Sequence, residues 1–100
     1  MRIVVNDEAK EKIRQTAKYI QNKFGKKARV DFRNEIDHVS RLLRNNPYLG
    51  PAEPFLAEAP VPYRSIVVNR LNKMVYWING DVIEIVDFWD TRREPKFDWK

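Results

Sequence analysis

The chain has 100 residues, of which 43% are hydrophobic and 33% charged, and its formal net charge is +5. That length supports a single domain over residues 1–100, and no apolar run approaches the roughly 18 residues that suggest a membrane span. The lack of cysteine excludes disulfides, thiolate metal sites and thiol catalysis, and the single histidine, His38, cannot form a zinc site alone.

The charge is concentrated in the first half of the chain. Residues 1–46 carry 12 basic and 6 acidic side chains, a balance of +6, whereas residues 63–100 carry 7 and 6, a balance of +1. This asymmetry favours a polyanion or an acidic protein as partner. The N-terminal sequence turns acidic too early for a secretory signal, so we expect a cytoplasmic location and no membrane partner.

The first two predicted elements are a short strand and a helix. Residues 2–5 form a β-branched run, and Asn6 is a helix-capping residue followed by Asp7 and Glu8, whose charges suit the start of a helix. Gly25 is expected to end the helix in a left-handed cap. The apolar residues that recur at helical spacing are Ala9, Ile13, Ala17, Ile20 and Phe24.

A second helix with the same spacing follows, and Asn46-Pro47 ends it because proline cannot continue a helix. Two helices joined by about three residues must form a hairpin with one face buried, and the sheet is the only candidate to cover it. The apolar stripe is Ala28, Phe32, Ile36, Val39 and Leu43. Around the joint lies a basic cluster that we expect either to contact a partner or to be solvated: Lys23, Lys26, Lys27 and Arg29.

Residues 47–62 contain five of the six prolines and no basic residue. This composition predicts a connector that runs over the surface without regular structure, held to the core by Phe55 and Leu56.

Three short strands are predicted after the connector, at residues 63–69, 73–78 and 81–89. Asn79-Gly80 between the last two is a strong hairpin signal, and residues 69–72 form a looser turn. The fold class is therefore α+β: an N-terminal strand, a two-helix hairpin and a three-stranded antiparallel meander.

Motifs for cofactor or metal chemistry are missing from this sequence, which has only three glycines and neither a phosphate-binding loop nor metal-ligand spacing. His38 flanks the apolar stripe of the second helix, and we expect it to be a partly buried or surface residue. Strict alternation along the last strand groups Glu84 with Val82, Val86 and Phe88, and Asp87 with Ile83, Ile85 and Trp89. Neither arrangement forms an adjacent carboxylate pair for glycoside or two-metal chemistry.

Arginines stand at both ends of the meander: Arg64 at its start, and Arg92 and Arg93 just after its last strand. A guanidinium binds phosphate or carboxylate in a bidentate manner, so these residues could converge on one phosphate or one acidic partner. The alternative is that Arg64 forms a structural ion pair and the other two are solvated. We expect one acid of the last strand to pair with Arg64 or Arg92.

Four short sequence motifs lie along these predicted elements. They are Tyr-Ile-x-x-x-Phe-Gly (19–25), Asn-Pro-x-x-Gly (46–50), Tyr-Arg-Ser (63–65) and Arg-Arg-Glu-Pro (92–95). In their order and spacing, over nearly the whole chain, they resemble the RelE/ParE toxin superfamily. The resemblance implies a toxin of a type II toxin–antitoxin module, with a helical hairpin packed on one face of a twisted antiparallel sheet. It also implies a cognate antitoxin as partner.

The resemblance leaves two activities open. RelE-like members cleave messenger RNA on the ribosome with arginines and lysines around the phosphate and, in many members, a tyrosine or histidine for proton transfer. For that activity it would make Arg64 and Arg92 catalytic. The departures are that the tail has Phe97 and Trp99 where a tyrosine is needed, that Asp90 stands where many relatives have histidine, and that the connector has no lysine. Substitutes for proton transfer would be Tyr76, Lys73, Glu84 or Asp90.

ParE-like members inhibit DNA gyrase and are not known as nucleases. The Arg-Arg-Glu-Pro ending looks more like this group, so we favour gyrase or another non-nucleolytic target. In that case Arg92, Arg93 and the tail are expected to be contact residues. RelE-like cleavage is the first alternative, and a toxin-derived module that binds an antitoxin without toxicity is the second.

Overall fold

The computed structural model describes residues 1–93 and Pro95. The order of elements within them confirms the predicted α+β architecture. The elements are β1 (Arg2–Val5), α1 (Asp7–Phe24), α2 (Lys26–Asn45), β2 (Arg64–Val68), β3 (Asn72–Asn79) and β4 (Val82–Asp90), with a short 3₁₀ turn at Pro54–Leu56. No helix within residues 1–93 is long and apolar enough to cross a membrane.

Asn6 caps α1 as predicted. Its side-chain oxygen accepts a hydrogen bond from the Ala9 N–H at 2.8 Å, and its side-chain amide donates to the Val86 carbonyl at 3.1 Å. The first bond satisfies a free donor of the helix start. Because the second reaches β4, the same residue also fixes α1 to the sheet.

The helices are joined by the single residue Gly25, so the predicted joint of about three residues was too long. Gly25 has φ 98° and ψ 175°, a positive φ with an extended ψ, and the predicted left-handed cap was therefore wrong in its ψ. Its N–H donates to the Gln21 carbonyl, and its own carbonyl accepts from the Arg29 N–H. One residue thus ends α1 and begins α2, and glycine adopts this positive φ without steric cost.

Both helices pack on one face of the sheet, as expected from their apolar stripes. The interior between helices and sheet is the larger of two hydrophobic clusters. Its buried members are Ala9, Ile20, Phe32, Val39, Leu43, Val68, Met74, Tyr76, Ile83, Ile85 and Phe88.

The four strands form one sheet in the order β1-β4-β3-β2. β2, β3 and β4 make the predicted antiparallel meander, but β1 lies parallel to β4, with Arg2 opposite Val82 and Val5 opposite Ile85. The sheet is therefore mixed, in contrast to the wholly antiparallel sheet implied by the resemblance.

A β-bulge interrupts the pairing of β3 and β4. Val75 lies opposite Asp87 and Tyr76 opposite Ile85, so Val86 is an extra residue in β4. A bulge reverses the alternation of side chains beyond it. For this reason Phe88 lies in the helix-side cluster, whereas Trp89 packs with Val86 on the other face. The predicted groupings of Phe88 with Glu84 and of Trp89 with Ile83 and Ile85 were therefore wrong.

The connector covers the other face of the sheet, where a smaller cluster contains Leu56, Val75 and Val86. Leu56 is buried as predicted, but Phe55 is 48% exposed and its ring meets that of Trp89 edge to face. The segment was also expected to lack regular structure, yet it contains the 3₁₀ turn. Pro54 occupies the start of that turn, where its missing N–H costs nothing.

Candidate functional site: a buried node and a basic end

Arg64 is the first residue of β2 and lies opposite Tyr76 of β3. Its guanidinium donates to the Gly50 carbonyl at 2.7 Å and lies 4.9 Å from the centre of the Tyr48 ring, a cation–π contact. Within residues 1–93 no carboxylate pairs with it, so the expected structural ion pair is replaced by these two contacts with the connector. They leave the guanidinium partly buried.

Tyr76 bonds to the same part of the connector as Arg64. Its hydroxyl donates to the Pro47 carbonyl at 2.7 Å and accepts from the Gly50 N–H at 2.9 Å. Burial raises the pKa of the Tyr76 phenol, and the Gly50 N–H and the charge of Arg64 offset that rise only in part. A Cβ on Gly50 would lie 2.5 Å from the Ser65 carbonyl oxygen, so no side chain fits there. We call Pro47, Tyr48, Gly50, Arg64 and Tyr76 the connector node.

A second polar group fixes the connector beside the node. The carboxylate of Glu53 is 2% exposed, and it accepts from Lys73 Nζ at 2.6 Å, Ser65 Oγ at 2.9 Å and the Phe55 N–H at 2.7 Å. Burial alone would raise the pKa of Glu53, but these hydrogen bonds and the charge of Lys73 hold it below its usual value. We call Glu53, Ser65 and Lys73 the carboxylate brace.

Arg92 follows β4 and pairs with Asp90, as predicted for one acid of this strand. Its Nη2 and Nε lie 2.7 Å and 3.0 Å from the two oxygens of Asp90, whose side chain also accepts the Arg92 N–H. These hydrogen bonds lower the pKa of Asp90 to about 2. Hydrogen bonding to Asp90 and its charge raise the pKa of Arg92, with a smaller contribution from Tyr19 of α1.

The register does not bring Arg64 and Arg92 together. Arg64 begins β2, whereas Asp90 lies opposite Asn72, which in turn lies opposite Val68 at the other end of β2. Four residues of strand correspond to about 13 Å, too far for both guanidinium groups to hold one phosphate. Arg93 lies beside Arg92 in sequence but lines a groove on the connector face.

Three segments meet at the end of the molecule that carries Arg92: the α1–α2 joint, the β2–β3 turn and the residues after β4. Asn69 of the turn and Phe24 of α1 line one shallow depression, and the Thr91 N–H donates to the Leu71 carbonyl at 2.7 Å. Five cations from these segments are exposed there and form what we call the basic end: Lys23, Lys26, Lys27, Arg70 and Arg92.

Aromatic side chains accompany these cations. Lys23 Nζ lies 5.6 Å from the ring centre of Tyr19 and 6.0 Å from that of Phe24, and the two residues are 57% and 66% exposed. Arg29, predicted to belong with this group, instead donates to Gln21 and braces the two helices. The acids Asp31 and Glu35 line the depression beside the basic end. This end of the molecule therefore carries both signs of charge, with more cations than acids.

Arg70 was not predicted as a site residue. It has φ 62° in the β2–β3 turn, as its neighbour Asn69 has φ 53°. A left-handed backbone costs an ordinary residue roughly 1 to 2 kcal/mol. The tight turn between β2 and β3 requires this conformation, and it leaves the Arg70 side chain exposed. Asn69 in the turn was the available signal, because asparagine tolerates this region.

Lys12 is a second residue that sequence reasoning missed. Its Nζ lies 2.7 Å from Oδ1 of Asp87, a fully buried carboxylate that also accepts the Phe88 N–H. The other oxygen of Asp87 has no hydrogen-bond partner in the part of the chain that is described. Lys12 follows the buried Ala9 by one helical turn, and that flanking position was the available signal.

The remaining predicted residues have simpler positions. His38 is exposed on α2, and residues 1–93 contain no group of three metal-binding side chains. Phe97, Trp99 and Glu94 lie outside the described residues.

Comparison with known proteins gives a family. Residues 3–95 match the family model described as the ParE toxin of type II toxin–antitoxin system, parDE. This chain belongs to the ParE toxin family. A solved structure titled as the chromosomal ParDE TA system from P. aeruginosa superposes with a TM-score of 0.73 at 15% identity, covering 90% of this chain and 95% of that one. At that identity the likeness concerns the fold. No curated protein sequence matches the chain.

Membership in the ParE family makes this protein the toxin of a type II toxin–antitoxin system and implies a cognate antitoxin as partner. The motif words also acquire a structural meaning. Asn-Pro-x-x-Gly and Tyr-Arg-Ser meet in the connector node, where Pro47, Gly50 and Arg64 bond to one another or to Tyr76.

Proposed function

We propose that this ParE-family toxin acts by binding a protein target in the cytoplasm, with DNA gyrase favoured, and that it does not cleave RNA. The proposal rests on the hydrogen bonds, ion pairs and pKa shifts of the four groups that could transfer protons. Three of the four candidates are already tied to neighbours in ways that oppose acid–base chemistry near neutral pH.

Ribonucleolytic cleavage needs a group that accepts the proton of a 2′-hydroxyl, and its pKa should lie near the working pH. Tyr76 is buried, bonded on both sides and has a raised pKa. Lys73 is paired with Glu53 in the carboxylate brace. Asp90, with a pKa of about 2, is a very weak base.

Glu84 is the fourth candidate and is differently placed. It lies opposite Trp77 on the connector face, whereas Arg64 lies opposite Tyr76, a member of the helix-side cluster. It therefore stands on the other face of the sheet from Arg64 and toward the opposite end of β4 from Arg92. The catalytic roles of Arg64 and Arg92, which apply only to a nuclease, remain predictions.

Binding needs an exposed surface, and the basic end supplies one. The same three segments expose the apolar side chains of Tyr19, Phe24 and Leu71, and Lys23 lies against the first two. Arginine and aromatic residues are enriched at the centres of protein interfaces, and exposed cations speed the association with an acidic partner. We assign the target contact to this end, with Arg92 at its centre.

The test is to induce the toxin without its antitoxin, to map messenger RNA ends and to assay DNA supercoiling in the same cells. We expect loss of negative supercoiling with intact messenger RNA. Cleavage in phase with codons would instead identify a RelE-like nuclease. No growth defect at all would identify an antitoxin-binding module without toxicity, and either result overturns the proposal.

Charge substitutions locate the surface. We expect the double variant Lys23→Glu with Arg92→Gln to lose inhibition of purified gyrase while keeping the wild-type unfolding temperature within a few degrees, because both side chains are exposed. Arg41→Glu is the matched control, an exposed arginine on α2 outside the basic end. Equal inhibition by the double variant and the control would show that the target binds elsewhere.

A further inference from the structure

A groove of about 470 Å³ lies on the connector face of the sheet and is separate from the basic end. Its floor includes Lys73 and Trp89, which are cross-strand neighbours on β3 and β4. The connector turn with Phe55 forms one wall, and the segment after β4 with Arg93 forms the other. The groove is therefore an open depression beside the connector turn and the residues that follow β4.

The groove has an aromatic lining. The rings of Phe55 and Trp89 meet edge to face, with centroids 6.1 Å apart and planes at 75°. Phe55 is 48% exposed and not packed into the core. An aromatic ring that is left half open beside a concave surface can contact an apolar side chain of a partner.

The charge at the groove is positive. Glu53 also lines the groove, but this residue is 2% exposed and its carboxylate oxygens accept three hydrogen bonds from within the protein. Its negative charge is therefore not available to a partner. The Lys73 ammonium has three donors, one of which bonds to Glu53. The guanidinium of Arg93 forms no ion pair with a described carboxylate, although its charge helps to lower the pKa of Asp90. Among the described residues, donors of two cations beside the aromatic pair thus have no acceptor.

We propose that this groove binds an acidic segment of the cognate antitoxin. A carboxylate of that segment contacts Arg93 and Lys73, and a neighbouring apolar side chain rests on Phe55 and Trp89. The proposal rests on the toxin function, which makes an antitoxin the partner, but not on the identity of the target.

Charge and ring geometry favour a peptide over a nucleic acid as the occupant. Single-stranded nucleic acids bind along grooves that combine many cations with open aromatic faces for successive bases. Among the described residues two cations line this groove, and the edge of one ring meets the face of the other. A short segment with one or two carboxylates and an apolar residue suits this arrangement better.

The probe is a set of overlapping short peptides that covers the antitoxin encoded beside the toxin, titrated against the full-length protein. We expect one acidic peptide with an apolar residue to bind and to change the tryptophan fluorescence. Arg93→Glu should weaken its binding about tenfold or more, and Phe55→Ala should weaken it as well, because each removes one of the two contacts. Arg41→Glu, outside the groove, should bind as the wild type does.

A charge exchange makes the test independent of folding. Replacing the critical acid of the peptide by lysine should abolish binding to the wild type and restore it to Arg93→Glu. The proposal fails if no acidic peptide binds, if Arg93→Glu binds as well as wild type, or if a single-stranded oligonucleotide binds at this site more tightly than the peptide. The gyrase assay omits the antitoxin, so failure here leaves the proposed function standing.

Discussion

The connector node and the basic end each contain a cation close to an aromatic ring, but the two cations have different contacts. At the node, Arg64 bonds to the Gly50 carbonyl and covers the Tyr48 ring, so its charge holds the chain to itself. At the basic end, Lys23 lies beside the exposed rings of Tyr19 and Phe24, and both Lys23 and Arg92, the latter paired with Asp90, remain open to solvent. The contacts around each cation, and not its residue type, separate a structural role from a binding role.

The difference also appears in the carboxylates. Glu53 is enclosed and makes three hydrogen bonds that support the connector, whereas Asp90 pairs with Arg92 at the surface. A buried ion costs much more when its partner is lost than an exposed one does. Substitutions in the first region should therefore change the free energy of unfolding, and substitutions in the second should change association with partners.

The largest expected effect is that of Lys73→Ala. It leaves the Glu53 carboxylate buried without its cation, and we expect unfolding to become easier by about 3 to 5 kcal/mol. Chemical denaturation measures this change. The double variant with Glu53→Gln should recover a large part of the loss, and a double variant no more stable than the single one would show that the ion pair does not determine the cost.

Tyr76→Phe should have the next largest effect. Removing the hydroxyl leaves the Gly50 N–H and the Pro47 carbonyl without their partner, a loss of about 1 to 3 kcal/mol. Gly50→Ala should cost a similar amount, about 1 to 3 kcal/mol, since its Cβ would overlap the Ser65 carbonyl. The two substitutions affect the same contact, so the double variant should lose less stability than the sum of the two single losses. Full additivity in urea unfolding would contradict the shared node.

At the basic end, Arg70→Gly should stabilise the fold while weakening the toxin. Glycine relieves the positive φ, and after its own entropic cost the net gain should be about 0 to 1 kcal/mol. Gyrase inhibition should fall because a cation is lost. Arg70→Lys keeps the charge and the backbone conformation and serves as the control. A stabilised variant with undiminished inhibition would remove Arg70 from the contact surface.

The smallest expected effect concerns the pH dependence of the Asp90–Arg92 pair. The Asp90 pKa of about 2 in the folded chain lies below the unfolded value of about 3.9, so the pair stabilises the protein above the unfolded pKa. This stabilisation is lost as the pH falls from about 4 towards 2, and it is small because solvent screens an exposed ion pair. Titration of the Asp90 carboxyl carbon by NMR should show the pKa return to its ordinary range in Arg92→Ala.

The order of elements and the apolar stripes of both helices could be predicted because each depends on local periodicity. The capping role of Asn6 depends on its neighbours in sequence and was predicted too. The position of Phe88 was not, since the bulge at Val86 is imposed by pairing with β3. Nor could the separation of Arg64 from Arg92 be seen, because it follows from the register of three strands.

The candidate site divides in the same way. The cations at the joint between the helices could be found from composition. Arg70 lies near them only because of the fold, and Lys12 bonds to Asp87, which is 75 positions away. The Gly50–Tyr76 contact links residues 26 positions apart. Contacts of that range depend on tertiary packing, which periodicity does not encode.

The parallel pairing of β1 with β4 has a consequence for how the toxin is made. Asn6 and Val86 are in hydrogen-bond contact although they are 80 positions apart, so the first strand has no strand partner until the last one is synthesised. Closing so long a loop is slow compared with local helix formation. We expect chains released before residue 82 to remain sensitive to protease and harmless to the cell. A protease-resistant fragment of that length would show that the first strand is dispensable for folding.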